Sequence, residues 1–202
     1  MNENFLNADL FASAFIRPCE EFKRNLGLLM FEFSHFYPAD FPRGRDFMDA
    51  LDGFLSKLPK GWPYGVEMRN KNFLHPDYFA MLARHGVAHV YNSWGEMPSI
   101  GEQMAMAGSR TTADLVGARF LLKPGRKYQD AVDLFSPYTE IKEPNEEGRK
   151  AGAALINQSV TTTPRAGAFI FVNNRFEGNA PMTIHAMIRQ AEEQIGMDLS
   201  AT

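Results

Sequence analysis

The chain predicts an α/β fold of the TIM-type (β/α) barrel class, present in part as five βα units. Three observations predict it. Five short apolar runs of β-prone residues recur along 202 residues: LLMFEF (28–33), YGVEM (64–68), VAHVYN (87–92), ARFLL (118–122) and AFIFVN (168–173). Helical patterns lie between them, and strands alternating with helices require parallel pairing by right-handed crossovers. No G-x-G-x-x-G follows a strand, as a doubly wound dinucleotide sheet would normally show. A complete eight-unit barrel takes about 250 residues, more than this chain provides, so residues 1–202 read as one domain with five of the eight units.

Each element has a local cause. The run LLMFEFSH ends its apolar stretch at Glu32 and His35. In RGRDFMDALDGFLSKLP, Phe47, Met48, Leu51, Phe54, Leu55 and Leu58 share one helical stripe, with Pro59 after the stop. YGVEMR places Glu67 and Arg69 two residues apart, hence on one face of a strand and its extension. In HPDYFAMLARHG, Pro76 suits a first helical position and Gly86 a left-handed cap. VAHVYNSW finishes in Asn92 and Trp94, and ARFLL runs directly into KPGRK. Asn145 with Glu146 and Glu147 opens a further helix, the acids complementing the exposed amides of its first turn. AFIFVNN ends in Asn173 and Asn174, and the last helix runs from near Pro181 through Ile184, Met187, Ile188 and Ile195 to Gly196.

Composition narrows the functional classes. With 45% hydrophobic, 22% charged and 12% aromatic residues, the chain can bury a core. A formal charge of -3 supplies no global attraction to nucleic acid or an anionic membrane. Cys19 is the only cysteine, followed by two glutamates that disfavour its thiolate, so neither an internal disulfide nor thiol catalysis is expected, and a cytoplasmic setting is the simplest reading. The N-terminus lacks a signal-peptide pattern, and no stretch approaches the roughly 18 apolar residues of a membrane span.

In a parallel barrel the strand ends gather ligand contacts. That logic selects Glu67 as base or hydrogen-bond acceptor and Arg69 as its orienting or substrate-binding partner. Asn92, Asn173 and Asn174 are expected to contact a ligand, while Lys123 and Arg126 around Gly125 suit an anionic or phosphorylated small molecule. No motif specifies a cofactor. Two other readings compete: a divalent metal held by Glu32, His35, Glu67 and His89, although His89 differs in parity from Asn92 and suits a helix-facing position; and a nucleic-acid or protein surface on which Trp62, Tyr91, Trp94 and Phe176 stack bases while Arg175 and the KPGRK residues contact phosphate.

GVEMRNKNFLHP, LGLLMFEFSHFYP, HGVAHVYNSW and FIFVNNRFEGNAP resemble, in order, the motifs of the YecE-like family, catalogued as domain of unknown function 72. The resemblance runs over nearly the whole chain and implies a triosephosphate-isomerase-type barrel without a general established activity. It aligns the five runs with the fourth to eighth strands, implying that the chain is the C-terminal part of a longer barrel. Where many members end the seventh strand in Arg-x-His-Gly, this chain has RFLLKPGRK, with Pro124 in place of the histidine. If KPGRK follows the seventh strand, it lies where barrels often bind phosphate. A five-stranded form would also have two open edges, which a homo-oligomer would cover, and an inactive truncated product is the remaining alternative.

Overall fold

Each apolar run becomes a strand because its alternate residues can be buried on both faces of a parallel sheet. The computed structural model describes residues 2–162 and 167–196. The strands are β1 (Leu29–Phe33), β2 (Tyr64–Met68), β3 (Ala88–Asn92), β4 (Leu115–Phe120) and β5 (Gly167–Val172). They pair in parallel in sequence order, and the sheet does not close from β5 back to β1. In β2 and β3 every residue is buried, as expected for central strands covered on both faces. β5 is only partly buried, with Phe171 47% exposed.

The fourth strand begins and ends earlier than the apolar run 118–122 suggests. Leu115 to Gly117 pair with Gly167 to Phe169, although Gly117 weakens the strand signal. Beyond Phe120 the chain leaves the β5 ladder: Leu121 N donates to Ser93 Oγ at 3.0 Å and Leu122 N to Ser93 O at 2.9 Å. The two leucines therefore extend the contact with the β3 side, past the strand.

The main helices between and after the strands are α1 (Gly44–Lys57), α2 (Pro76–His85), α3 (Ile100–Ala105), α4 (Tyr128–Phe135), α5 (Glu146–Thr162), α6 (Asn174–Glu177) and α7 (Ala180–Ile195). α1 buries Phe47, Leu51, Phe54 and Leu55 as its stripe requires, and Leu58 is buried at its cap. Pro76 opens α2 and Gly86 closes it at φ 66°. α5 packs against α7 through small residues: a Cβ on Gly152 would lie 2.5 Å from Met187 Sδ. Ahead of the sheet, helical residues 8–25 lay Phe11 against Phe31, Phe54 and Tyr64. Among the described residues no helix is long and apolar enough to cross a membrane.

Two glycines leave room on one face of the sheet for neighbouring side chains. A Cβ on Gly65 would lie 2.8 Å from Val90 Cγ2 and 2.9 Å from Leu28 Cδ1, and one on Gly117 would meet the same two side chains at 2.9 and 3.0 Å. Val90 and Leu28 therefore fill the space that side chains on β2 and β4 would occupy. Above this layer, toward the carboxyl ends, the inward positions carry charge.

Candidate functional site

The pairing register brings the charges together. Glu32 of β1 stands beside Glu67 of β2, and Asn92 of β3 beside Arg119 of β4. Two neighbouring carboxylates would repel, but two guanidiniums separate their charges. Arg69 donates through Nε to Glu67 Oε1 at 2.8 Å and pairs through Nη2 with Glu32 Oε1 at 2.9 Å. Arg119 Nη1 reaches Glu32 Oε2 at 2.5 Å and Glu67 Oε2 at 2.6 Å. Both oxygens of each carboxylate are thus occupied, and the four groups sum to zero charge. Burial disfavours the charge on Arg119, but its bonds to Glu67 and Glu32 outweigh that, so its pKa is raised.

Exposure differs sharply within this cluster. The Glu67 side chain is 0% exposed and that of Glu32 38%, with Arg69 at 11% and Arg119 at 24% between them. Glu67 is therefore the fixed anchor and Glu32 the member open to exchange with solvent. The indole of Trp94 lies 4.5 Å from the Arg69 guanidinium carbon, a cation–π contact that restrains Arg69 from a second side. Beside the cluster an open cleft of about 390 Å³ is lined by Met30, Glu32, Arg119, Leu121, Phe171 and Asn173, among others.

Other residues expected in the site fall into different roles. Asn92 Nδ2 donates to Met68 O at 2.9 Å, so this buried amide ties β3 to the end of β2, while its Oδ1 is buried without a partner among the described residues. Asn173 lines the cleft, but its Oδ1 caps α6 by accepting from Arg175 N. Asn174 Oδ1 accepts from Ala180 N and braces the start of α7. Lys123 and Arg126 share one carboxylate, Glu143, at 3.0 and 2.7 Å; Arg126 and then Lys123 hold the Glu143 pKa below its usual value. Arg126 nevertheless keeps Nη1 buried and unpartnered among the described residues.

The competing sets are not brought together as wholes: Glu32 and Glu67 meet, but through two arginines. His89 packs between Tyr78, Phe79 and Tyr91, on the helix side and away from Glu32 and Glu67, in keeping with its parity. Among the described residues no group of three or more His, Cys, Asp or Glu side chains could hold a metal. Of the aromatic residues considered for base stacking, Tyr91 and Phe176 are buried, and Trp62 lies under Lys23.

Arg119 is the residue that sequence reasoning missed. It is the only lysine or arginine inside the five apolar runs, and a charge in a covered strand has to be paired. With the strand placed three residues late, that signal lost its link to the opposing carboxylates.

A family model described as "Protein of unknown function DUF72" matches residues 3–201. A crystal structure of a DUF72 family protein from Enterococcus faecalis V583 at 3.10 Å resolution has 15% sequence identity and a TM-score of 0.55, the match covering 98% of this chain and 67% of that one. A second structure from the same organism, at 2.52 Å, matches with 14% identity and a TM-score of 0.51, covering 98% of this chain and 70% of that one. No curated protein matches the chain.

Proposed function

The chain belongs to the DUF72 family of proteins of unknown function, and from this premise we propose that it forms part of a (β/α) barrel that binds a small anionic molecule at the carboxyl ends of its strands. The observation that carries the reading is Arg119. Its Nη1 is shared between two carboxylates, whereas Nε and Nη2 have no partner among the described residues, and the side chain lines the open cleft. A guanidinium with unused donors in a partly desolvated cleft suits a carboxylate or phosphate oxygen pair. Glu67 and Arg69 then hold Arg119 in place, and Asn173 adds a polar wall. Because both Glu67 oxygens already accept hydrogen bonds, its first role is to orient the arginines. Lys123 and Arg126 are secondary contacts, competing with Glu143 for any anion.

The same reading treats residues 1–202 as one domain in the cytoplasm, supported by the lone cysteine, with association between copies over the open β1 and β5 edges. Isothermal titration with a panel of small carboxylates, inorganic phosphate, sugar phosphates and nucleotides tests the site. Binding should weaken about tenfold or more in Arg119→Lys and much less in Arg126→Ala. A panel without any binder, or a binder indifferent to Arg119→Lys, would overturn the proposal.

A further inference from the structure

Resting on the anion-site reading, we infer that Glu32 occupies the seat of a ligand carboxylate, and that the ligand is a monocarboxylate with an apolar body. Its carboxylate would replace that of Glu32 between Arg69 and Arg119, with the body lying along Met30, Leu121 and Phe171. The seat is already defined by an occupant: one Glu32 oxygen lies 2.9 Å from Arg69 Nη2 and the other 2.5 Å from Arg119 Nη1. That is how two guanidiniums would clamp an incoming carboxylate. Glu32 is also the member of the cluster that can leave. Its side chain is 38% exposed, whereas that of Glu67 is 0% exposed and stays to hold both arginines.

Charge selects the headgroup. Two glutamates and two arginines balance, so exchanging Glu32 for one monoanion keeps the cluster neutral. A phosphate dianion would place an uncompensated negative charge next to Glu67, which is shielded from water. The cleft selects the body. Its volume of about 390 Å³ is that of a small-molecule site, and the Phe171 ring, 47% exposed, forms an apolar wall beside the charged end. The two ends of the cleft thus ask for one acidic group and a hydrocarbon or aryl portion.

Titration of the intact chain with acetate, hexanoate, phenylacetate and inorganic phosphate provides the test. Hexanoate and phenylacetate should bind more tightly than acetate, and phosphate more weakly than either. Glu32→Gln removes the competing anion and should tighten hexanoate binding by about tenfold. Phe171→Ser should erase most of the advantage of hexanoate over acetate while leaving acetate unchanged; at an exposed position it should not impair folding, to be checked by circular dichroism. Phosphate binding that depends on Arg119 and matches or exceeds carboxylate binding would refute the inference but leave the anion site standing. Unchanged hexanoate affinity in Glu32→Gln would refute the stand-in role of Glu32. Failure of all four anions to bind both wild type and Glu32→Gln would overturn the inference and the anion site together.

Discussion

At the scale of single residues, burial separates groups that look alike in sequence. Glu32 and Glu67 accept from the same two arginines, yet their removal should differ in cost. Glu67→Ala leaves two half-buried guanidiniums with one carboxylate between them at the buried Glu67 site, and should destabilise the fold by about 3 kcal/mol or more. Glu32→Gln removes a solvent-screened partner and should cost less than about 1 kcal/mol. Chemical denaturation of the two variants measures the contrast; equal losses would show that the cluster does not discriminate between them. His89 makes a second residue-scale prediction. Desolvation lowers its pKa from 6.5 to about 4, against a weaker opposing effect of Gln103. The unfolded chain therefore takes up a proton that the folded chain refuses as pH falls from 6.5 to 4. The His89 contribution to stability should be whole above pH 6.5 and should decline through this window by up to roughly 3 kcal/mol. Urea melts of wild type and His89→Phe across pH 4 to 7 should show the decline in the first and a reduced slope in the second.

At the scale of elements, Val90 of β3 packs over β2 and β4 because Gly65 and Gly117 leave room for it. Gly65→Ala would push a methyl against Val90 and Leu28 and should cost about 1–3 kcal/mol by overpacking. Adding Val90→Ala should recover part of the loss, since the two side chains contend for one space. Additive losses in the double variant would argue against that contact. The same layer explains how much of each element was legible. α1 and α2 were readable because helical periodicity, Pro76, Gly86 and the stop near Pro59 are local signals. β4 was displaced because Gly117 hides the beginning of the strand, while Leu121 and Leu122 look like strand residues but follow the β3 side through Ser93. Asn173 and Asn174 were visible as polar strand-end residues, but their capping roles depend on α6 and α7 folding back onto them.

At the scale of the molecule, protection is unevenly distributed across an open sheet. β2 and β3 are buried throughout, whereas β5 is partly exposed and carries Phe171 at the surface. Native-state amide exchange should therefore be slowest in β2 and β3 and measurably faster in β5. Uniform protection across all five strands would show that β5 is covered in solution, as association between copies would bring about.

The sequence by itself determined the succession of parallel strands and helices, the family, and the placement of Glu67 and Arg69 at a strand end. These features rest on periodicity, caps and the two-residue alternation of a strand, all of which operate over a few neighbouring positions. Only the tertiary structure decided which charges meet. Arg119 is 87 residues from Glu32 and 52 from Glu67, and it reaches both because the inter-strand register aligns their ends. The same long-range folding gave Lys123 and Arg126 a carboxylate partner in Glu143 and turned His89 toward the helices. Electrostatic pairing depends on distance in space, which local sequence patterns do not encode.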